Sequence, residues 1–341
     1  EYINETSQGE KTLLEMYNKA IEDKCTNSDG MCDRTDHLHI GDYVSFKNPT
    51  NVSATANATD TGCEENQTYT INEERNQVNW RVLGLDEETG GIKLISGIPL
   101  RRNETRGYFD IKGAQAYEKG YLVPDQICNS LYGSQTYVAK ARSVKQKDID
   151  ELMGITTIED IRRVDRFTYY GEYKYNDSYS IDNAYTPESY LAEKNNGEPE
   201  GKRRGTISGI VDGYYYTVNS SDEEGVPYVT LDNQRIYNMV FGDENSGKLT
   251  YIFSSRGVCV YPEDPVYEIE ECASFGIGGV NLEYGDTAGV STTSVFYSDA
   301  SDVIDLPNMG IRPVIVLEKG VTSKQIPKIP DQKEPLWLLL I

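Results

Sequence analysis

The six cysteines are the residues whose chemistry is easiest to assign from the sequence. They are Cys25, Cys32, Cys63, Cys128, Cys259 and Cys272. No two of them form a C-x-x-C pair, so neither a zinc ribbon nor a thioredoxin-like redox motif is indicated. An even count in an acidic chain is typical of structural disulfides in an exported protein. We predict that Cys259–Cys272 bridges a hairpin, that Cys25–Cys32 closes a short loop, and that Cys128 is a buried free thiol.

Metal binding finds little support in the residue pattern. The loop between Cys25 and Asp36 resembles part of a calcium-binding loop around Gly30. However, Cys25 occupies the first ligand position, and Asp36 replaces the bidentate Glu at the twelfth. We therefore favour a disulfide-closed turn, keep calcium as the alternative, and predict that the chain carries no cofactor.

Histidine occurs only at His37 and His39. On a strand these two side chains would face the same side, but a third metal ligand could come only from Asp36 or Asp42. Two surface histidines without a metal are therefore the favoured interpretation. The same scarcity argues against Ser-His-Asp and Cys-His enzymes.

One segment, Gly242 to Lys248, matches the phosphate-loop pattern G-x-x-x-x-G-K. The next residue is Leu249, where such a loop needs Ser or Thr to hold magnesium. Asp243 and Glu244 would place negative charge where backbone amides should cradle phosphate. We predict a turn between two strands here and no nucleotide site.

Charge and composition restrict the partners of this chain. Its 341 residues include 55 acidic and 33 basic ones, for a net charge of −22. Such a chain repels nucleic acid and anionic lipid headgroups. Because 38% of the residues are hydrophobic, the acidity belongs to the surface of a folded protein. The many carboxylates leave a carboxylate-pair hydrolase open without identifying a pair.

Tyrosine is the most distinctive residue type, with 26 copies, ten of which lie in a polar insertion near 165–225. Tyr together with Asn, Ser and Gly is typical of binding loops, although these rings could equally pack the insertion onto the core. The candidate ligand-surface residues are Tyr169, Tyr170, Tyr173, Tyr175, Tyr214, Tyr215 and Tyr216.

The elements that would hold these residues follow from periodicity. A capping pattern predicts a helix over 7–24, and alternation predicts a hairpin over 78–96. The Asn- and Thr-rich stretch 47–72 favours a loop. Helical pieces are predicted within 110–154, including 124–132 and 143–153, and strands dominate the last third.

Proline and hydrophobic residues distinguish the C-terminal end. Residues 321–335 contain a proline-rich stretch that indicates an extended linker. The run of apolar residues that follows favours the start of a membrane anchor or a docking tail, with a last core strand as the alternative. Its anchor candidates are Trp337, Leu338, Leu339 and Leu340.

An ordered series of phrases resembles a poorly characterised family of exported surface proteins from Gram-positive gut bacteria, which often have a pilin-like N-terminus. The phrases include Ile40 to Val44, Val78 to Gly84, Ile92 to Gly97, Gly113 to Tyr117, Ile127 to Tyr132, Ala141 to Val144, Ser254 to Arg256, Ala273 to Ile277 and Gly310 to Val314. The last phrase also resembles the closing strand of formylglycine-generating-enzyme-like and C-type-lectin-like domains, which is an analogy of fold alone.

Together these observations predict an α+β protein. An N-terminal helix and Cys-closed loop (1–39) would precede one large domain (40–320) with a twisted, mainly antiparallel sheet, several helices and long loops. A linker (321–335) and an apolar tail (336–341) would follow. The expected function is that of a non-enzymatic extracellular surface protein that binds a host or neighbour-cell glycan or protein. The alternatives are a subunit of a filament or pilus, built from copies of the chain, and a carboxylate-pair hydrolase.

Overall fold

A computed structural model describes residues 10–25, 34–61, 65–71, 79–100, 102, 109, 120–156, 160, 179–181, 205–207, 216–218, 228–243, 247–261, 272–281, 288–297 and 309–329. Within these ranges the chain combines helices with antiparallel sheets, so the predicted α+β class is confirmed. The described α-helices are α1 (Leu13–Glu22), α2 (Ala58–Thr61), α3 (Val123–Tyr132), α4 (Gln146–Leu152) and α5 (Gln234–Phe241).

The described strands are numbered in chain order. The first nine are β1 (Tyr43–Val44), β2 (Val52–Ala56), β3 (Gln67–Ile71), β4 (Trp80–Leu85), β5 (Ile92–Ser96), β6 (Val138–Ser143), β7 (Tyr179–Ile181), β8 (Gly205–Ile207) and β9 (Tyr216–Val218). The others are β10 (Tyr228–Val229), β11 (Gly242–Asp243), β12 (Gly247–Lys248), β13 (Tyr251–Tyr261), β14 (Cys272–Asn281), β15 (Ala288–Tyr297), β16 (Gly310–Ile311), β17 (Pro313–Leu317) and β18 (Lys328–Ile329).

The first large sheet has the strand order β18-β1-β4-β5-β17-β6, with every neighbouring pair antiparallel. Strands β4 and β5 form the hairpin predicted over 78–96. All residues of β5 and β17 are buried, which explains the continuous apolar character of β17, whereas β5 also buries Lys93 and Ser96. Strand β17 lies between β5 and β6, so the C-terminal part of the chain completes the sheet.

The second large sheet has the order β10-β9-β15-β14-β13-β16. Its long strands β13, β14 and β15 are antiparallel, whereas β9–β10 and β13–β16 are parallel. Since β16 belongs to this sheet and β17 to the first, the chain crosses between the two sheets at Arg312. Strands β11 and β12 pair with each other, and β13 follows them, as expected from a turn rather than a phosphate loop.

The N-terminal helix is shorter than predicted. It starts at Leu13, and its capping box consists of Thr12 and Glu15. Leu13 and Met16 are buried in the same hydrophobic core as the first sheet, and Thr12 forms a β-bridge with Thr322. The helix is thus packed into the body of the protein and is not a separate leading segment.

Two further predicted boundaries were wrong. The stretch 47–72 contains β2, α2 and β3, because Ala54, Ala56, Tyr69 and Ile71 alternate with exposed polar residues and pack inwards. The helix predicted over 143–153 begins later, at Gln146, since the backbone of Ser143 still belongs to β6. The helix predicted over 124–132 is confirmed as α3.

The predicted linker is also wrong for its first nine residues. Val321 and Ile326 are buried in the core, and β18 pairs with β1 at the edge of the first sheet. Burial of two apolar side chains fixes this segment, although its proline content favours an extended spacer.

In the part of the chain that the structure describes, no helix has the length and apolar character of a membrane span.

Candidate functional site

Several predicted site residues lie outside the described part of the chain. These are the anchor candidates Trp337, Leu338, Leu339 and Leu340 and six of the seven candidate tyrosines, namely Tyr169, Tyr170, Tyr173, Tyr175, Tyr214 and Tyr215. The backbone of Tyr216 lies in β9, opposite Val290 of β15. The ligand-surface and anchor roles of all these residues stay predictions.

The cysteines fall into three situations. Cys128 is fully buried and free, as predicted, and burial raises the pKa of its thiol. Cys25 is buried and disulfide-bonded, but Cys32 lies outside the described residues, so their pairing stays a prediction. Cys259 lies opposite Ser274 and Cys272 opposite Tyr261, which makes the two cysteines diagonal neighbours on the predicted β13–β14 hairpin. Their disulfide also stays a prediction.

The two histidines are buried, so the prediction that they lie at the surface was wrong. His37 is 0% exposed and its Nε2 lies 3.0 Å from Asp23 Oδ2. His39 is 6% exposed and its Nδ1 lies 3.3 Å from Asp42 Oδ2. Each ring is held by a carboxylate from a neighbouring element. Among the described residues, no group of three or more His, Cys, Asp or Glu side chains could hold a metal ion.

Asp42 is the centre of a buried ionic cluster. It accepts from Arg235 of α5 and lies 3.0 Å from Lys328 Nζ of β18, and it also accepts the backbone N–H of His39. Burial alone would raise the pKa of Asp42, but the hydrogen bonds from His39 and the charge of Lys328 outweigh it and lower the pKa. The cluster ties together elements from three distant parts of the chain, and its buried position indicates a structural role.

A cavity of about 470 Å³ offers a better candidate site. It lies between α3, β6 and the turn that connects β4 to β5. Seven of its eight lining residues have side chains that can form hydrogen bonds. The lining residues are Asp86, Asp125, Gln126, Asn129, Lys140, Ala141, Arg142 and Lys145.

A buried ion-pair network positions the cationic side of this cavity. Arg142 donates to both carboxylate oxygens of Asp148, over 2.6 and 2.8 Å, and Lys93 donates to the same carboxylate over 3.3 Å. Burial alone would raise the pKa of Asp148, but the charges and hydrogen bonds of Arg142 and Lys93 lower it to about 2. Asp148 is therefore ionised at neutral pH and fixes the guanidinium at the cavity wall, with about an eighth of the Arg142 side chain exposed (12%).

Two carboxylates face these cations. Asp125 Oδ1 accepts the Ser143 N–H over 2.9 Å, and its Oδ2 lies 3.8 Å from Lys145 Nζ. Asp86 Oδ2 accepts both the N–H and the hydroxyl of Thr89. Burial alone would raise the pKa of Asp86, but these hydrogen bonds outweigh it and lower the pKa. Asp86 therefore stays an ionised acceptor.

The lining thus presents donors and acceptors side by side. Ammonium and guanidinium groups only donate, carboxylates only accept, and the amides of Gln126 and Asn129 do both. A ligand with a large net charge of either sign would meet a like charge in the cavity. Hydroxyl groups, which both donate and accept, match this arrangement without that cost.

Sequence reasoning did not identify this cavity. Two phrases that carry the family resemblance, Ile127 to Tyr132 and Ala141 to Val144, contribute Asn129, Ala141 and Arg142 to it. The charged residues Lys140 and Arg142 within β6 and Lys145 after it were another signal, but β6 itself was not predicted. The cavity forms because β17 brings β6 next to the β4–β5 hairpin.

Comparison with known proteins gives no assignment. No protein-family model matches the chain, and neither a curated protein nor a solved structure shows significant similarity to it.

Proposed function

We propose that this chain is a non-enzymatic extracellular surface protein that binds a glycan in the polar cavity between α3 and β6. The observation that carries the proposal is the 470 Å³ cavity with its mixed lining of carboxylate, amide and cationic side chains. Its volume lies within the range of small-molecule sites, about 300 to 1,000 Å³.

The chemistry of the lining favours a hydroxyl-rich ligand over the other partners considered. Nucleic acid is disfavoured by the net charge of −22. An apolar ligand would leave the charged groups of the cavity desolvated and unpaired. The disulfide at Cys25 supports an exported location, because disulfides persist in oxidising compartments.

A hydrolase is the second candidate, since Asp86 and Asp125 line the same cavity. A glycosidase needs one carboxyl group that stays protonated as a general acid, and such a group has a raised pKa. The pKa of Asp86 is lowered instead, so Asp86 does not fit the role of the general acid. A hydrolase at this cavity would therefore need Asp125 as the acid.

A glycan array with purified protein and cavity variants tests the proposal. Lys145→Ala removes a lining cation, whereas Lys147→Ala removes an exposed cation two positions away that does not line the cavity. We expect wild type and Lys147→Ala to bind the same glycans, and Lys145→Ala to bind them about tenfold more weakly, the effect of one lost charged hydrogen bond. Absence of any glycan ligand, or equal binding by both variants, would contradict the proposal.

Two further measurements address the other parts of the proposal. Incubation of the bound glycans with the protein, followed by an assay for new reducing ends, tests the hydrolase. If the wild-type protein hydrolyses the glycans and Asp125→Asn does not, the protein is a hydrolase and the non-enzymatic proposal is wrong.

Antibody labelling of intact producing cells tests the surface location. Labelling only after lysis would contradict it.

A further inference from the structure

The hairpin formed by β2 and β3 carries a repeated three-residue motif. All three asparagines between Thr50 and Thr70 are followed two positions later by Ser or Thr, with a residue other than Pro between them. The triplets are Asn51-Val52-Ser53, Asn57-Ala58-Thr59 and Asn66-Gln67-Thr68. This pattern is the acceptor motif for N-linked glycosylation.

Exposure distinguishes a usable triplet from one that arises by chance in a Thr-rich stretch. Only a side chain that reaches solvent can carry a sugar in the folded protein. The asparagine of each triplet is exposed, and so is the Ser or Thr that follows it. Ser53 and Thr68 lie on the exposed face of the hairpin because Ala54, Ala56 and Tyr69 occupy its buried face.

A fourth triplet, Asn48-Pro49-Thr50, provides an internal comparison. Its central proline excludes it from the acceptor motif. Asn48 is only 8% exposed, and its Oδ1 accepts the indole N–H of Trp80 over 2.8 Å. In this part of the chain, the triplets that can accept a sugar have exposed asparagines, whereas the buried asparagine belongs to the triplet that cannot.

The three acceptors lie at the two ends of the hairpin. Asn57 directly follows β2 and Asn66 directly precedes β3, so these two lie beside each other at one end. Asn51 directly precedes β2 and lies at the opposite end. Asn66 accepts the Ala58 N–H through Oδ1, over 3.0 Å. An N-linked sugar is attached to Nδ2 instead, so this hydrogen bond and a sugar are compatible.

We propose that Asn51, Asn57 and Asn66 are N-glycosylated during export. A membrane-bound transferase joins Nδ2 to the anomeric carbon of an oligosaccharide that is carried on a polyprenyl phosphate or diphosphate. The anomeric C–O bond breaks, the phosphate leaves with the electron pair, and a carboxylate of the transferase takes the amide proton. The inference goes beyond glycan binding, but it requires the exported location of the proposed function.

The transfer must precede closure of the hairpin. The motif is read through its hydroxyl group. In the folded hairpin the hydroxyl of Ser53 lies 2.8 Å from that of Thr70, and the hydroxyl of Thr68 lies 3.0 Å from that of Thr55. Both hydroxyls are therefore engaged across the strands once the chain has folded.

Mass spectrometry of the protein purified from its producing cells tests the proposal. Fragmentation of glycopeptides assigns the sugar to individual asparagines. This assignment is needed because four further triplets, outside the described residues, begin at Asn4, Asn103, Asn176 and Asn219. We expect a sugar on each of the three hairpin asparagines, and none on the same protein made in a cytosol that lacks the transferase.

Variants that lack one hydroxyl test the motif itself. Thr68→Ala destroys the triplet of Asn66 but keeps the asparagine, whereas Thr70→Ala removes a hydroxyl from the same exposed face without affecting a triplet. We expect complete loss of the sugar at Asn66 in Thr68→Ala, and an unchanged sugar in Thr70→Ala and in the conservative Thr68→Ser. Ser53→Ala should likewise abolish the sugar at Asn51 alone.

The outcomes separate this inference from the proposed function. Three unmodified asparagines in protein that antibody labelling places on the surface of intact cells would overturn the glycosylation and leave the surface location intact. A sugar that persists at Asn66 in Thr68→Ala would also overturn it, because the motif would then not be read. Unmodified asparagines together with labelling only after lysis would overturn the glycosylation and the surface location together.

Discussion

Arg312 and Tyr251 meet at the crossing between the two large sheets. The guanidinium carbon of Arg312 lies 4.7 Å from the centroid of the Tyr251 ring. Both side chains donate to the carbonyl oxygen of Val240, over 3.3 and 2.9 Å. Arg312 also donates to the carbonyls of Met239 and Ser96. A fully buried cation is thus held by an aromatic face and by carbonyls at the C-terminal end of α5, where the helix dipole is negative.

Replacing Arg312 is therefore expected to destabilise the fold strongly. Arg312→Met removes the side-chain donor from the carbonyls of Met239 and Ser96, at about 1 to 3 kcal/mol each, while Val240 keeps Tyr251, so we expect a loss of about 4 kcal/mol. Urea unfolding measures this loss. Arg34→Met, on a side chain that is 60% exposed, is the control and should cost less than about 1 kcal/mol. Equal losses for the two variants would contradict the role assigned to Arg312.

The ionisation of Asp148 predicts a dependence of stability on pH. The folded-state pKa is lowered from 3.8 to about 2. Between these two values the unfolded chain binds a proton that the folded chain does not. The stabilisation is therefore complete above about pH 4 and is lost as the pH falls towards 2, and it amounts to about 2 kcal/mol.

Comparison with Asp148→Asn isolates this contribution. The variant has no carboxyl group at this position, so the difference in free energy of unfolding between wild type and variant should shrink as the pH falls from about 4 to 2. Urea unfolding at a series of pH values provides the measurement. A constant difference across that interval would show that Asp148 does not titrate as the network requires.

Asp42 should be needed to keep two largely buried cations, Arg235 and Lys328, in place. Asp42→Ala leaves Arg235 and Lys328 without their shared carboxylate, and we expect a loss of about 3 kcal/mol in the free energy of unfolding. Hydrogen exchange should also accelerate in α5 and β18, which the cluster connects. Asp36→Ala removes a partly exposed carboxylate that pairs with Lys11, and it should cost less than about 1 kcal/mol. If both variants lose the same free energy of unfolding, the Asp42 cluster stabilises the fold no more than a partly exposed ion pair does.

The backbone packs closely around Gly91, just before β5. One added methyl group there should therefore strongly destabilise the fold. A Cβ atom at Gly91 would lie 2.0 Å from the carbonyl oxygen of Leu317. Gly91→Ala must therefore displace β17, and we expect a loss of about 3 kcal/mol. At Gly320 an added Cβ meets nothing within 4 Å. Thermal unfolding of Gly320→Ala should match wild type within about 0.5 kcal/mol, and an equally mild Gly91→Ala would contradict the observed packing.

Local pattern determined much of the secondary structure. The alternation in 78–96 predicted the β4–β5 hairpin, and the helical piece predicted over 124–132 is α3, because both depend only on neighbouring residues. The buried thiol at Cys128 was predicted within the same segment. The loop predicted over 47–72 was wrong because composition was weighed above alternation. There, Ser53 and Thr55 pair across the hairpin with Thr70 and Thr68 on its exposed face.

Tertiary structure decided where these elements meet. The carbonyl partners of Arg312 at Ser96 and Val240 lie 216 and 72 positions away, and no local pattern specifies such distances. The buried His37 likewise lies within hydrogen-bond distance of Asp23, the residue that follows α1. The polar cavity exists because the C-terminal β17 inserts between β5 and β6 and brings the β4–β5 turn beside α3. Periodicity of side chains is a local property, whereas a cavity requires the strand order of a completed sheet.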